Sequence, residues 1–341
     1  MNIYNKDRPK KVVLVFLFRF IIKGEKFMFV SNIFRYFPSN ISKMLEEYFK
    51  SNSTNTYISL EEIRLRSNKP MVLKFNNSEK VFDYNVSAEE IAETLRVICE
   101  NSIYSYQNQI CNGYITIKGG HRVGISGNAV MEEDKIINVN YISSLNFRVA
   151  KQIIGCSNKI LKYVIDIENN SIYNTLIVSS PGAGKTTILR DLIRKISTGI
   201  DQMNFNGLTV GLVDERGEVA AMYKGVSQND IGIRTDILDN IPKALGMKML
   251  IRSMSPNVIS ADEIGSEQDV EAINYAVCSG IKGVFTAHGD SLEDLSLNPA
   301  IKHLINTHIF ERIIFITNKG PKGEVEKVYS LNKINSDYVL Y

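Results

Sequence analysis

The segment Leu176-Ile-Val-Ser-Ser-Pro-Gly-Ala-Gly-Lys-Thr-Thr-Ile-Leu-Arg190 constrains this chain more than any other. An apolar run of strand type passes into Gly182-Ala183-Gly184-Lys185-Thr186, and a helical pattern follows. Glycines let the backbone curl so that successive N–H groups face one point, and the helix N-terminus adds the positive end of its dipole. The spacing matches the phosphate loop G-x-x-x-x-G-K-[ST] except at its first position, where Ser179 stands in place of glycine. Serine is small enough for a strand end, so the start of the loop should change without loss of binding. Lys185 should reach the β- and γ-phosphates of ATP, and the Thr186 hydroxyl should sit on Mg²⁺. Expected nucleotide contacts run from Ser179 and Ser180 through Pro181, Gly182, Ala183 and Gly184 to Lys185, Thr186 and Thr187.

Two further apolar runs end in Asp-Glu, at Asp214-Glu215 and at Asp262-Glu263. In an α/β sheet an acidic residue at a strand's carboxyl end lies beside the phosphate loop, so both pairs are candidates. After the second pair comes Gly283-Val-Phe-Thr-Ala-His-Gly289, an apolar strand ending in Thr286 and His288. A chain order of phosphate loop, acidic strand and polar strand favours Asp262-Glu263 as the Walker B pair. Asp262 would hold Mg²⁺ through water, and Glu263 would orient or deprotonate the attacking water. Asp214 and Glu215 would line the same pocket as a second acidic group. His288, at its strand end, is expected to sense the γ-phosphate or couple it to the rest of the protein.

Around this feature the pattern divides. From about Ile153 onward, strand-like runs at 175–178, 209–213, 257–261, 283–286 and 312–317 alternate with helical stretches, as in a parallel sheet covered by helices. The preceding region reads differently. A helical pattern covers 41–50, and 61–75 alternates like two strands broken at Asn68-Lys69-Pro70. Ser87 and Glu90 have capping-box spacing before a helix through Cys99. Short β-like pieces follow at 113–118, 123–130 and 136–139, with turns expected at Gly119-Gly120 and Gly127-Asn128. The expectation is α/β overall: a small α+β domain over residues 28–150, then a P-loop domain over 151–341 with a mainly parallel sheet. A length of 341 residues accommodates about two domains.

Charge bears on the class of partner. Residues 1–27 hold seven of the 40 Lys/Arg and two of the 37 Asp/Glu, a local net of +5. Residues 28–341 therefore carry 33 basic against 35 acidic side chains, a net of −2. No nucleic-acid partner is expected, because proteins that track phosphates need clustered Lys/Arg. The four cysteines, Cys99, Cys111, Cys156 and Cys278, have neither CxxC spacing nor a matching His, which points to a reducing compartment rather than a disulfide framework or a zinc site.

Within the head, Val12 to Ile22 is an apolar run of about 11 residues containing Arg19, where a spanning helix needs about 20. Three readings fit it: an amphipathic membrane-surface segment, a buried strand, or an upstream extension ahead of a working start at Met28. Residues 1–27 are set apart on that ground as a basic extension.

Several stretches together resemble one family. Val213–Val226 (VDERGEVAAMYKGV), Ile233–Gly265 and Gly283–Ser291 (GVFTAHGDS) are similar to the stage III sporulation AA family, a branch of the type II and type IV secretion ATPases. Glu61–Pro70, Ser102–Val130 and Tyr141–Lys151 are similar to that family's amino-terminal region, so the resemblance runs from about Met28 to Asn318. It implies a RecA-like/AAA+ ATPase core and a homo-hexamer on the cytoplasmic, inner face of a membrane. Such a ring would power transport or assembly through integral membrane partner proteins between mother cell and forespore. By position, Asp214, Glu215 and Glu218 would be the acidic box, Asp262-Glu263 the Walker B pair and His288 the histidine box. Wider secretion relatives often carry Gly-Glu-Ile-Arg-Asp where this chain has Asp262-Glu-Ile-Gly-Ser266, so Gly265 removes one arginine.

Ring ATPases place arginines near a neighbour's γ-phosphate, where developing charge needs a cation. Arg122, Arg148, Arg216, Arg234 and Arg252 are candidates, with Arg148 first because it lies at the domain junction. Two other functions compete with the motor. A nucleic-acid-dependent RecA-like ATPase conflicts with the net charge of the body. A nucleotide-dependent scaffold that does not hydrolyse conflicts with Lys185, Thr186, Asp262 and Glu263 all being present.

Overall fold

The computed structural model describes residues 32–52, 56, 59–317, 319, 321–332, 334 and 337–341. The basic head, with its three readings, lies outside these residues. Contacts divide the chain into two compact units with the break between Ala150 and Lys151.

In the first unit, helix α1 (Ser39–Ser51) buries Ile41, Leu45 and Phe49, one residue per turn. Strands β1 (Leu60–Arg66), β2 (Lys69–Phe75) and β3 (Glu79–Val86) precede α2 (Ala88–Ile98). That helix begins in a capping box: the Glu90 N–H donates to Ser87 Oγ, and the Ser87 N–H donates to the Glu90 carboxylate. Strands β4 (Tyr114–Ile117), β5 (His121–Glu132) and β6 (Lys135–Arg148) complete a six-stranded sheet ordered β3-β2-β1-β6-β5-β4, in which every pairing is antiparallel. Alternate residues Met71, Leu73 and Phe75 of β2 enter the core, the period-2 pattern of a half-buried strand.

Three sequence expectations need correction here. The break after β1 falls at Ser67-Asn68, with Asn68 in the left-handed region, while Lys69 and Pro70 already belong to β2. Pro70 is tolerated because the β2–β3 register shifts between Pro70 and Val72. Gly127-Asn128 is a bulge inside β5 rather than a turn, and a Cβ on Gly127 would come within 2.6 Å of the Asn140 carbonyl oxygen. The chain instead reverses at Glu133-Asp134, and β6 runs on to Arg148, well beyond the expected 136–139.

In the second unit the strands are β7 (Thr175–Ser179), β8 (Val210–Asp214), β9 (Thr235–Asp239), β10 (Val258–Ala261), β11 (Lys282–His288), β12 (Arg312–Ile316), β13 (Val325–Asn332) and β14 (Asp337–Leu340). They form one mixed sheet in the order β9-β8-β10-β11-β7-β12-β13-β14. The first six are parallel and the last two antiparallel to their neighbours. Strands β7, β8 and β10 are buried at every position, as expected where helices cover both faces. One face packs on helix α3 (Lys185–Thr198) through Ile188, Leu189, Leu192, Ile193 and Ile196. The other packs on α4 (Lys243–Met254) and α5 (Glu267–Cys278) through Met247, Leu250, Ala272, Ile273 and Ala276.

In chain order the polar strand β11 comes after the acidic strand β10. In space it lies between β10 and the phosphate-loop strand β7. Because all five strands β7 to β11 run the same way, their carboxyl ends bring Ser179, Asp214, Ala261 and His288 to one edge of the sheet.

Candidate functional site

The phosphate loop follows β7 at that edge. Gly182 and Gly184 both have φ in the left-handed region, at 80° and 102°. A Cβ on Gly182 would meet nothing within 4 Å, so the curled backbone faces open space. Ser179 is buried, and its hydroxyl donates to the Ser180 carbonyl, closing the start of the loop where the motif has glycine. Lys185, the first residue of α3, is 5% exposed. Its ammonium donates to the carbonyls of Ser179 (2.7 Å) and Ser180 (3.3 Å) and lies 3.1 Å from His288 Nδ1. Burial pushes its pKa below the usual lysine value, while Asp262, Glu263 and Asp290 pull it back up.

Thr186, one residue on, donates from Oγ1 to Asp262 Oδ2 at 2.6 Å. The other carboxylate oxygen of Asp262 accepts from the Thr286 hydroxyl on β11. Burial raises the Asp262 pKa, opposed by these two hydroxyl donors. Glu263 sits in the left-handed region at φ 53°, a conformation that costs a non-glycine residue about 1–3 kcal/mol. Its N–H donates to Thr286 Oγ1 at 2.8 Å, which fixes the turn. His288 Nε2 lies 3.0 Å from Glu263 Oε1, and Arg216 donates to Glu263 Oε2 at 2.5 Å. With the Lys185 ammonium donating to Nδ1, the partners assign the proton of His288 to Nε2. Lys185, His288, Glu263 and Arg216 thus form one hydrogen-bonded chain across the site.

Asp214, Glu215 and Glu218 share a recess with Asp262 and Glu263. The Asp214 carboxylate faces inward and accepts the N–H groups of Glu218, Val219 and Ala220 at 2.8–3.1 Å. Burial still raises its pKa against those bonds. Glu215 is paired with Lys243 at the start of α4.

Of the five arginines singled out in the sequence, Arg216 is engaged with this chain's own Glu263. Arg234 donates to the carbonyls of Ser197 (2.8 Å) and Thr198 (3.3 Å), closing the end of α3. Arg252 lies over Tyr275, 5.8 Å from the ring centre. The remaining two belong to the first unit. Arg148 ends β6, exposed, in register with Arg122 on one side and Glu62 on the other. Arg122 lies 4.7 Å from the Tyr114 ring centre. Gly265 has its carbonyl bound by Asn298 Nδ2 at 3.1 Å, and a Cβ there would meet the same amide at 3.3 Å.

Sequence reasoning missed two groups. Arg190, buried on α3, donates to the carbonyls of Val219 (2.8 Å) and Glu218 (2.6 Å), so the phosphate-loop helix holds the loop that carries Arg216. Asp191 accepts from the Gly155 and Ser157 N–H groups and the Ser157 hydroxyl, tying the start of the unit to the same helix. The available signal was an adjacent Arg-Asp pair inside a helix with apolar residues all round.

The donor set fits a nucleotide with a divalent cation. A glycine-curled loop opens to solvent, a buried ammonium stands at its base, and hydroxyl and carboxylate oxygens of Thr186 and Asp262 converge beside it, as a hard cation requires.

A family profile described as "Sporulation stage III, protein AA" matches residues 30–335. Stage III sporulation protein AA of Bacillus subtilis (strain 168) is 37% identical over 296 residues, covering 85% of this chain and 94% of that protein. Among solved structures, the Legionella pneumophila ATPase DotB aligns with a TM-score of 0.50 at 14% identity, over 84% of this chain and 76% of that one. The pilus retraction motor PilT with bound ADP aligns with a TM-score of 0.50 at 15% identity, over 82% and 77%. At these identities the two structures speak for the fold alone.

Proposed function

The chain belongs to the stage III sporulation protein AA family, and on that premise we propose that it is an ATPase, hydrolysing ATP to ADP and phosphate as a homo-hexameric motor of the secretion type. It would energise a membrane-embedded transport or assembly complex between mother cell and forespore, from the cytoplasmic face of the membrane. One observation carries the catalytic part: Lys185, Thr186, Asp262, Glu263 and His288 are joined by hydrogen bonds, through Thr286, at the carboxyl edge of the parallel strands of the mixed sheet.

In this reading the Lys185 ammonium leaves the Ser179 and Ser180 carbonyls for the β- and γ-phosphates. Thr186 directly, and Asp262 through water, would hold Mg²⁺, which when bound neutralises phosphate charge. The loop from Ser179 to Thr187 cradles the phosphates. Glu263 takes the proton of the attacking water on its carboxylate, His288 senses the γ-phosphate or couples it to the rest of the protein, and Glu215 lines the pocket as a second acidic group. Arg148 is the arginine we assign to a neighbouring copy's nucleotide. Among the described residues no helix is long and apolar enough to cross a membrane, which suits peripheral attachment through integral membrane partners.

Three measurements test the proposal. Glu263→Gln should retain nucleotide binding and lose turnover; hydrolysis at the wild-type rate would show that Glu263 is not the water-activating group. Light scattering with and without ATP·Mg²⁺ should reveal a hexamer, and a persistent monomer would remove the ring. Stimulation of hydrolysis by single-stranded DNA or RNA would favour a nucleic-acid-dependent ATPase instead.

A further inference from the structure

Both oxygens of the Glu263 carboxylate are occupied. Arg216 Nη1 donates to Oε2 at 2.5 Å, and His288 Nε2 approaches Oε1 at 3.0 Å. A general base needs an open lone pair directed at the proton it removes. Here a guanidinium and an imidazole take two of the roughly four lone-pair directions of the carboxylate, and the guanidinium's positive charge lowers the basicity of the rest. The backbone does not offer an escape, because Glu263 is held at φ 53° with its N–H on Thr286 Oγ1. Full basicity therefore returns when a side chain lets go.

Arg216 is suited to do so, and His288 is not. The imidazole is held on its far side by the buried Lys185. The Arg216 side chain is 64% exposed, against 24% for Glu263, so solvent lies open beside its head. Its attachment is nevertheless rigid. Asp214 accepts three N–H groups from residues 218–220, and Arg190 on the phosphate-loop helix donates to the carbonyls of residues 218 and 219. A firmly mounted, exposed guanidinium on a carboxylate is a reversible latch.

We infer that Arg216 acts in cis as a positioning residue that latches its own chain's Glu263 and restrains basal turnover until its guanidinium swings off the carboxylate. The inference rests on Glu263 being the water-activating group. It differs from the sequence expectation, in which Arg216 was one of five candidates for a neighbouring copy's nucleotide.

The test is steady-state ATP hydrolysis by the full chain, with kcat and KM determined separately. A pair this exposed shifts an equilibrium by no more than about fivefold. Arg216→Ala should therefore raise basal kcat roughly two- to fivefold, with KM and the affinity for a fluorescent ATP analogue unchanged. Arg216→Lys, which keeps the charge, should fall between alanine and wild type. Added monovalent salt should raise the wild-type kcat towards that of Arg216→Ala and leave the variant's own kcat flat, since salt screens an exposed pair. A lower kcat in Arg216→Ala would make Arg216 a transition-state cation, and a higher KM at constant kcat would make it a nucleotide contact; either overturns the latch, as does an unchanged kcat. Failure of the underlying reading looks different: Glu263→Gln would then turn over like wild type. With the latch and that reading both correct, Arg216→Ala/Glu263→Gln is as inactive as Glu263→Gln alone.

Discussion

Thr186 donates its hydroxyl to Asp262 at 2.6 Å, joining the first turn of the phosphate-loop helix to the end of a strand two places away in the sheet. The second oxygen of the same carboxylate takes the Thr286 hydroxyl from the strand between them. These two hydroxyls offset part of the cost of a buried negative charge.

That balance is incomplete, since burial raises the Asp262 pKa despite both donors. The sign follows directly. A carboxylate whose folded pKa is raised binds its proton more tightly folded than unfolded, so its ionised form subtracts stability at neutral pH. Asp262→Asn should therefore stabilise the nucleotide-free protein, because both threonine hydroxyls can turn to serve an amide. Each kcal/mol gained would raise Tm by about 2–4 °C for a unit of this size. The same variant should lose the Mg²⁺ dependence of nucleotide affinity, with binding weakened roughly 10–100-fold when Mg²⁺ is present. Scanning calorimetry and nucleotide titrations with Mg²⁺ or EDTA check both halves. A fall in Tm would mean that the carboxylate is a structural asset.

Lys185 invites the complementary experiment. Its ammonium is buried and its pKa is pushed down by that burial, so the folded apo site carries it at a cost. Lys185→Ala should weaken binding of a fluorescent ATP analogue at least about 100-fold, the loss expected for a charge-assisted contact removed from a phosphate site. Circular dichroism should show an intact fold, and Tm should hold or rise. If Lys185→Ala binds nucleotide at the wild-type affinity, the loop from Ser179 to Thr187 is a structural turn.

Much of the fold was legible because burial on both sides of a parallel sheet leaves a plain mark. Runs such as Leu176-Ile-Val and Val258-Ile-Ser-Ala have no polar face, and each ends at a functional residue type. The capping box at Ser87 and Glu90 was legible for a local reason, as it depends on four consecutive residues. What the sequence could not carry was the lateral order of strands. That β11 lies between β7 and β10 is what lets His288 touch both Lys185 and Glu263, and no spacing encodes it. Gly127-Asn128 misled in the opposite direction. Its turn chemistry is real, but the cross-strand register to Asn138, Val139 and Asn140 continues past it and absorbs the residue as a bulge.

His121 gives a prediction that does not depend on nucleotide. It is fully buried in the first unit, where its Nδ1 accepts the Ala150 N–H at 3.1 Å, at the last residue of that unit. A Cβ on Gly119 would strike its ring at 2.7 Å, so the Gly119-Gly120 turn exists partly to let the imidazole in. Burial lowers its pKa from 6.5 to about 4. Above pH 6.5 the ring is neutral in both states and costs nothing. Between pH 6.5 and about 4 the unfolded chain takes up a proton that the folded chain refuses, so stability falls as the pH falls. At 1.36 kcal/mol per unit the loss approaches roughly 3 kcal/mol across that window. Urea unfolding at pH 7 and pH 5 should show it, with His121→Gln having a lower stability at pH 7 and a flatter dependence between the two. An equal slope in wild type and variant would place the acid sensitivity elsewhere, among the other groups that titrate in this window.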